Sequence, residues 1–411
     1  MFRRRARLSS AIAVGASLLL ATALAGVEAT PSAARPTAVQ ATRPAARLTL
    51  AAAPTGQDRT GRVDLTPGTA TFTPVHKGAP VLIERKTADG WHTAVKGTQD
   101  AGGHFAFVVA AGPHSAPYTF RARTTPVKGT TVVSAAARSA AWRVAWSDEF
   151  NNGLLSPDWV IRAAGGPGTL RQCAKTSITQ TTVSGGSANL AVLPDGLGLA
   201  GSCPHGQYLN AMVGTQYFHA FTYGVIAARV RFESELGMHG SIWMQHGGLQ
   251  LGRKPPGGND DGGPLPAGTA VTPTPVRLAD MAADGWAASV SSACAHLPAA
   301  QNGDPATNGA EIDIVEYFGD GYYKGGIAHN IYWAGKDAAG NTALNKCGTL
   351  ADKVPAILGP TRTPSNSYHV YSVEWTPTQY IFRTDGFETF RASAGVSGAP
   401  EYLIMSLLTS D

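Results

Sequence analysis

Short segments in which apolar and polar residues alternate dominate the chain from residue 61 onward, and helical periodicity is nearly absent. In the first part of this region they occur between turn-forming residues, at Ala79–Arg85, His104–Val109 and Tyr118–Thr124. Because successive side chains of a strand point to opposite faces, this pattern predicts β-strands that each bury one face. Residues 61–140 are therefore predicted to form a small β-sandwich.

A second and larger set of strand-like segments begins at Trp142. Its clearest members are Ala188–Leu193, Gly224–Phe232, Tyr368–Trp375, Gln379–Arg383 and Tyr402–Leu408. Many strands with almost no helix predict a sandwich or jelly roll over residues 141–411. The fold class is thus all-β, and the small preceding sandwich resembles bacterial immunoglobulin-like modules.

The first 29 residues have the layout of a secretory signal peptide. A basic start, Arg3–Arg7, precedes an apolar run from Ala11 to Val27, and small residues follow. The alternative is a membrane anchor, but the run is rich in Ala and short for about 30 Å of hydrocarbon. We therefore expect a secreted, extracellular protein without stable membrane insertion. Residues 30–60 are Ala, Thr and Pro without apolar periodicity, which predicts a disordered linker.

Charge and cysteine content exclude some functions. The formal net charge is +5, part of it lies in the signal peptide, and no other Lys/Arg block occurs, so nucleic-acid binding is not expected. Four cysteines in an exported chain indicate disulfides. Because shorter loops close more easily, we predict Cys173–Cys203 and Cys294–Cys347. No Cys-x-x-Cys or His cluster is present, and we expect no metal and no cofactor.

The segment Gly309–Gly319 carries the candidate chemistry. In a regular strand Glu311 and Asp313 would share one face, and Glu316 would fall on the opposite, isoleucine-bearing face. A one-residue β-bulge near Ile314–Val315 would return Glu316 to the face of Glu311. The sequence therefore predicts three carboxylates on one face of a bulged strand.

Three neighbouring carboxylates without an interleaved base repel one another and cost stability. One interpretation is a solvated acidic edge or a calcium site. The alternative that we favour is a catalytic pair with a third carboxyl between its members, since glycosidases need a protonated acid and an ionised carboxylate. A like charge in the middle can hold one proton within the group.

This segment resembles the Glu-Ile-Asp-x-x-Glu signature of glycoside hydrolase family 16, in its longer, bulged laminarinase-like form. Further matches follow in the family's order. They lie at Ser147–Asn151 with Trp159, at Tyr223–Arg231, at Gly240–Met244, at His369–Pro377 with Asp385–Gly386, and at Glu401–Ile404. The resemblance covers most of residues 142–411. It implies a concanavalin-like β-jelly roll with a concave cleft and a polysaccharide, a β-glucan, as the binding partner.

The resemblance also implies residue roles. Glu311 would be the nucleophile, Glu316 the acid/base, and Asp313 a partner that bonds the nucleophile. Glu316 would then carry the raised pKa. Trp243 would offer its indole face to a sugar ring, and His329 would lie beside the acid/base and bind substrate; a core position is the alternative for both.

Two departures from the family pattern affect the substrate. His239-Gly240 stands where many members carry Trp-Pro, and an Asn-rich segment is not recognisable between Trp159 and Cys173. We predict an endo-acting, retaining, monomeric enzyme that hydrolyses β-1,3 or mixed β-1,3-1,4 linkages. The alternatives are a transglycosylase with the same residues and a non-catalytic sugar-binding jelly roll. Trp91 in the small sandwich is either a sugar contact or a core residue.

Two further expectations concern chain segments. Gly247–Asn308 is longer than the family's usual connection, which predicts a wall or lid near the cleft with a mobile part at Pro255–Pro275. The chain ends just after Tyr402–Leu408, where family members usually continue into a final strand. We therefore expect the jelly roll to lack its last strand.

Overall fold

A computed structural model describes residues 43–409, apart from short gaps and one long one. The gaps are residues 59, 111, 113–115, 126–128, 141, 163–172, 196–202, 204–205, 247–308, 322–325, 337–341 and 352. The predicted signal peptide, residues 30–42 of the predicted linker and the predicted lid at Gly247–Asn308 lie outside the described residues. Within them, no helix has both the length and the apolar character needed to cross a membrane.

The N-terminal part of the described chain is a β-sandwich of two sheets. One sheet has the strand order β1-β2-β5; the other has the order β4-β3-β6-β7, with β8 also paired to β6. The strands are β1 (Ala45–Leu50), β2 (Leu65–Thr73), β3 (Pro80–Thr87), β4 (Gly90–Thr98), β5 (His104–Ala110), β6 (Thr119–Thr124), β7 (Val132–Val133) and β8 (Ala137–Arg138). Phe72 and Phe107 from one sheet pack with Ile83 and Phe120 from the other. The immunoglobulin-like identity of this sandwich stays a prediction.

The predicted linker is wrong over its second half. Residues 45–50 form β1, which pairs with β2 along its whole length, and Leu48 is buried in the core of the sandwich. The segment has the sequence Ala-Ala-Arg-Leu-Thr-Leu. Its side chains alternate between the two faces of the strand, and those that point inward are Ala46, Leu48 and Leu50. Because one inward residue is only an alanine, the alternation is weak in the sequence. The Ala, Thr and Pro content therefore predicted a linker where pairing with β2 stabilises an edge strand.

The larger part is a second sandwich, which confirms the all-β jelly-roll expectation. Its large sheet has the order β10-β14-β23-β16-β17-β18-β19, with β9 and β13 also paired to β14, and its small sheet has the order β15-β20-β21-β22. The strands before the central ones are β9 (Val160–Ile161), β10 (Ala174–Thr176), β11 (Thr181–Ser184), β12 (Ser187–Leu190), β13 (Leu193–Pro194), β14 (Tyr208–Gly214) and β15 (Gly224–Val230). The others are β16 (Met238–His246), β17 (Glu311–Tyr317), β18 (Ile327–Lys336), β19 (Thr342–Leu350), β20 (His369–Trp375), β21 (Tyr380–Thr384), β22 (Phe387–Ala392) and β23 (Glu401–Thr409). A 3₁₀ turn at Ile178–Gln180 and the helix α1 (Val354–Leu358) complete the described elements.

The core of the second sandwich lies between its two sheets. Met244, Ile312 and Ile331 of the large sheet pack with Tyr371 and Phe382 of the small sheet, all nearly inaccessible to solvent. Burial of large apolar and aromatic side chains from both sheets is what holds a sandwich together. The opposite face of the large sheet is therefore left to carry polar groups.

One predicted disulfide is confirmed. Cys173, just before β10, is bonded to Cys203, and their Cα atoms are 5.4 Å apart. The predicted partner of Cys347, Cys294, lies outside the described residues. The closed loop ties the start of β10 to the segment that leads into β14, two strands that pair in parallel. A cross-link of this kind stabilises mainly by restricting the unfolded chain.

The two sandwiches contact each other through the loop that precedes β2. The side chain of Gln57 is buried; its Nε2 donates to the carbonyl of Tyr368 at 2.7 Å, and its backbone N–H donates to the carbonyl of Asp385 at 3.3 Å. Arg229 of β15 donates to Gln57 Oε1 at 3.4 Å. Because both ends of the Gln57 amide are engaged, the loop is held against the β21–β22 turn of the second sandwich.

Candidate active site

The strand that carries the three carboxylates is bulged, as the sequence predicted. Against β16, Ile242 pairs with Val315 but Trp243 pairs with Asp313, which leaves one residue of β17 extra. Against β18 the register likewise shifts between Asp313 and Glu316. The bulge at Ile314–Val315 is therefore confirmed, and it restores Glu316 to the face of the other two carboxylates.

Cross-strand pairing shows which neighbours share this face. On β16, Ser241, Trp243 and Gln245 lie opposite Glu316, Asp313 and Glu311, respectively. Directly paired residues of neighbouring strands point to the same side of a sheet. On β18 the corresponding partners are Ala328, Asn330 and Tyr332. The face turned away from the core thus presents the carboxylates in the middle of a polar and aromatic surface.

Glu311 is half-buried and is held from β16. Its Oε2 accepts a hydrogen bond from Gln245 Nε2 at 3.3 Å. Burial raises the pKa of Glu311, the nearby charge of Glu316 raises it further, and the guanidinium of Arg162 opposes both effects. Burial and the charge of Glu316 therefore disfavour the ionised form of Glu311, whereas the positive charge of Arg162 favours it.

Asp313 is buried, with only 4% of its surface exposed. Burial and the charges of Glu316 and Glu311 hold the pKa of Asp313 well above its usual range, against a smaller opposing effect of Lys346. A carboxyl with a raised pKa keeps its proton and can donate it in a hydrogen bond. Its bond goes to Glu316, so the prediction that Asp313 bonds the nucleophile is wrong in this structure.

Glu316 receives hydrogen bonds from three sides. His239 Nε2 lies 2.8 Å from Glu316 Oε1, the amide of Asn330 donates to Oε2, and the protonated Asp313 supplies the third bond. Burial raises the pKa of Glu316, but the bond and charge of His239 and the bonds of Asn330 and Asp313 outweigh burial, so the pKa is lowered. The prediction of a raised pKa at Glu316 is therefore wrong.

Trp243 lies on the candidate-site face, opposite Asp313, and is half-buried. Its Nε1 donates to Ser406 Oγ at 3.2 Å, and the guanidinium carbon of Arg162 lies 5.3 Å from its ring centroid. The indole is thereby fixed in orientation beside the carboxylates. Its role as a sugar contact stays a prediction.

His329 does not lie on the face that carries the carboxylates, which corrects the prediction that it binds substrate. The side chain is fully buried, stacks on Phe382 at 5.0 Å, and faces the small sheet. Its Nδ1 lies 2.8 Å from the carbonyl oxygen of Ile314, and its Nε2 lies 2.8 Å from Thr389 Oγ1. His329 precedes Asn330 by one residue, and strand alternation puts the two side chains on opposite faces.

The ring of His329 contacts the bulge itself. A carbonyl oxygen can only accept, so Nδ1 must carry the proton that bonds Ile314. Burial lowers the pKa of His329 to about 4, so the ring is neutral and Nε2 accepts from the Thr389 hydroxyl. The bulge leaves residues outside the regular ladder, and this histidine satisfies one of their carbonyls.

Sequence reasoning missed four residues that contact or support the carboxylates: His239, Gln245, Asn330 and Arg162. His239 was noted only as a departure from a family pattern, and Gln245 and Asn330 are ordinary polar strand residues. Counting in steps of two from Trp243 along β16 would have placed His239 and Gln245 on the site face. Arg162 follows β9 and had no sequence signal.

The Trp91 alternatives are also decided in part. Its ring is half-buried rather than in the core, and the guanidinium carbon of Arg121 lies 4.3 Å from its centroid.

Within the described part of the chain, no group of three or more His, Cys, Asp or Glu side chains has a geometry that could hold a metal ion.

Comparison with known families gives one match, over residues 285–407, to the family described as Glycosyl hydrolases family 16. Comparison with curated proteins gives no match. Among solved structures, the chain is similar to LamAcat from Zobellia galactanivorans (19% identity, 64% of this chain and 86% of that chain, TM-score 0.40). It is also similar to an endo-β-1,3-glucanase from Pyrococcus furiosus (15%, 65% and 84%, 0.40) and to a laminarinase catalytic domain from Thermotoga maritima (16%, 65% and 87%, 0.39). The family match thus covers the segment that carries Glu311, Asp313 and Glu316.

Proposed function

We propose that the chain is a secreted, endo-acting, retaining glycoside hydrolase that cleaves a β-glucan. The observation that carries this proposal is the bulged strand β17, whose three carboxylates share one face away from the core within the segment that matches the family. The β-glucan follows from the motif resemblance described above. The protein acts as a monomer on an extracellular polysaccharide.

Glu311 is proposed as the nucleophile and Glu316 as the acid/base. In a retaining enzyme the two carboxyls lie about 5–5.5 Å apart, and the nucleophile forms a glycosyl-enzyme intermediate that water then cleaves. Arg162 and Gln245 support the ionised form of Glu311 by charge and by hydrogen bonding. Trp243 offers an aromatic face beside them.

The first experiment is release of reducing sugars from linear β-1,3-, mixed-linkage and β-1,4-glucans and from galactans. The proposal expects release from β-1,3- or mixed-linkage glucan and a first product with the β anomeric configuration by proton NMR. An α product would contradict the retaining mechanism, and release from none of these glycans would overturn the proposed function.

The two glutamate roles are separated by azide rescue with an activated aryl glycoside. The Glu316→Ala enzyme should still form the intermediate, which azide then attacks to give a β-glycosyl azide. The Glu311→Ala enzyme has lost the nucleophile, so azide should attack the substrate directly and give the α-glycosyl azide. Exchange of these two products would reverse the assignment. The raised pKa of Glu311 and the lowered pKa of Glu316 make this test informative.

A further inference from the structure

His239 contacts the proposed acid/base, Glu316, from the neighbouring strand β16. Its Nε2 lies 2.8 Å from Glu316 Oε1, and only 16% and 12% of the two side chains are exposed. The imidazole stacks on Phe318 with 4.6 Å between centroids and 19° between planes. Because β16 is paired on both sides, with β17 and with β23, the backbone that carries His239 is fixed.

The hydrogen bonds to Glu316 raise a chemical problem. All three favour the ionised carboxylate, whereas an acid/base must protonate the leaving oxygen in the first step. Asn330 has no proton to release. A proton moved from Asp313 would leave its charge at the more buried carboxyl, next to Glu311. A proton moved from an imidazolium to Glu316 instead neutralises both partners, and this becomes more favourable when a sugar displaces water.

We propose that His239 is a positioning residue that acts through Glu316 by sharing a proton with it; this inference rests on the proposed function. When the pair holds a proton, the imidazolium Nε2–H donates to Oε1. When a sugar fills the cleft, the proton passes to Glu316, which gives it to the leaving glycosidic oxygen as that bond breaks and Glu311 bonds the anomeric carbon. In the second step Glu316 takes a proton from the attacking water and the pair regains the proton that it lost.

Other titratable groups of the described residues lie near this pair. Glu233 lies beside Gly240, where a Cβ would come within 3.0 Å of its Oε2. The titratable groups on β17 and β18 that interact electrostatically with Glu316 are Glu311, Asp313, His329 and Tyr332. Lys346 of β19 acts on Asp313 and Tyr332. His239 is the one of these neighbours whose ring nitrogen contacts Glu316 directly and can exchange a proton without creating a new buried charge.

The test is the pH profile of kcat/KM for the His239→Gln variant, which keeps an N–H donor but cannot carry a proton. Proton sharing predicts that the basic limb moves to lower pH by about one unit or more, because the glutamate then loses its proton alone. We expect kcat to fall at least about tenfold with KM changed by less than about threefold. A move to higher pH would mean that His239 merely lowers the pKa of Glu316, and an unchanged profile would mean a structural role; either result overturns the proposal.

A matched control is His219→Gln. His219 also pairs with a carboxylate, Asp158, at 2.9 Å, but lies away from β17, so its substitution should leave the pH profile unchanged. A readout independent of activity is the ¹⁵N spectrum of the histidine rings near neutral pH. As the pH rises, the His239 ring should keep its second proton to a higher pH in the wild type than in Glu316→Gln.

The outcomes separate the two proposals. If the wild type cleaves no glycan, the proposed function fails, and the ¹⁵N spectra still decide whether His239 and Glu316 share a proton. If the wild type is active and the His239 ring is the same in both proteins, the proton-sharing proposal fails alone.

Discussion

The amide of Gln245 can point only one way. Its Oε1 accepts hydrogen bonds from Arg162 at 2.9 Å and from the hydroxyl of Tyr402 at 3.2 Å, so its Nε2 must face Glu311. The nucleophile candidate is therefore held by a donor whose orientation two other residues enforce. This chain of bonds is independent of the contacts made by Glu316.

Gln245→Leu should lower kcat by about tenfold to a hundredfold with little change in KM, because Glu311 loses the bond that orients it. Tyr402→Phe is the matched control: it removes one of the two bonds to Oε1 and should have a smaller effect. Steady-state kinetics on the best glucan, with melting temperatures for both variants, measures this. An unchanged kcat in Gln245→Leu would show that the bond does not position Glu311.

Glu401 is a buried carboxyl that holds the chain just before β17. Its Oε1 accepts from the backbone N–H of Ala310 at 2.9 Å and from the hydroxyl of Ser397. Burial raises the pKa of Glu401 to about 8, although these two bonds oppose the change. The side chain therefore stays protonated in the native state over a pH range in which the unfolded chain ionises.

This difference sets the sign of a pH effect on stability. Below about pH 4.5 both states bind the proton; between about 4.5 and about 8 only the native state binds it, so the free energy of unfolding falls as pH rises. Glu401→Gln keeps the carbonyl acceptor and removes the titration. Denaturant unfolding from pH 5 to 8 should show a shallower decline in the variant, and parallel curves would contradict the raised pKa.

At the scale of elements, β17 shows how much of a local structure the residue pattern predicts. The bulge at Ile314–Val315 could be predicted because three carboxylates make chemical sense only on one face. Motif resemblance could not predict the position of His329. Its chain neighbours Ala328 and Asn330 lie opposite Glu316 and Asp313, so the histidine between them lies on the other face of the sheet. The strand β1 was missed because Ala and Thr fill positions that only pairing with β2 makes strand-like.

The bond from His329 to the bulge gives a second stability prediction with the opposite sign. The unfolded ring gains a proton below about pH 6.5, whereas the native ring does so only near pH 4. The free energy of unfolding should therefore fall as pH drops from about 6.5 toward 4. His329→Gln keeps a donor for Ile314 and should flatten this acid limb.

His329→Leu is the contrasting variant. It leaves the Ile314 carbonyl without its partner in the core, which should cost about 1–3 kcal/mol of stability. The Thr389 hydroxyl can still donate to the carbonyl of Phe382 at 3.2 Å. Urea unfolding at pH 5 and pH 7 measures both variants. Equal stability of His329→Leu and the wild type at pH 7 would show that the bulge does not depend on this ring.

At the scale of the whole molecule, the contact between the two sandwiches is tight at one glycine. Gly386, in the turn between β21 and β22, has φ +86°, and a Cβ there would lie 2.8 Å from Val108 and 2.9 Å from the Cα of Gly56. The turn therefore approaches the first sandwich so closely that no side chain fits between them. Gly78 has a similar φ of +80° with nothing within 4 Å of its Cβ position.

The pair Gly386→Ala and Gly78→Ala separates backbone strain from the contact. Both variants should lose about 1 kcal/mol or more because an L residue is strained at positive φ. Gly386→Ala should lose clearly more, since the new methyl group also pushes the two sandwiches apart. Thermal unfolding measures the difference. Equal losses would indicate that the loop before β2 yields without cost and that the sandwiches are only loosely joined.

The bulge in β17 also has a consequence in genetic terms. Removing codon 314 or 315 keeps the reading frame of the message and takes out the extra residue, so Glu311 and the downstream glutamate lie four residues apart and stay on one face of a regular strand. Removing codon 312 instead turns Asp313 to the opposite face. In a library of single-codon deletions selected for glucan hydrolysis, losses at 314 or 315 should therefore be tolerated better than a loss at 312.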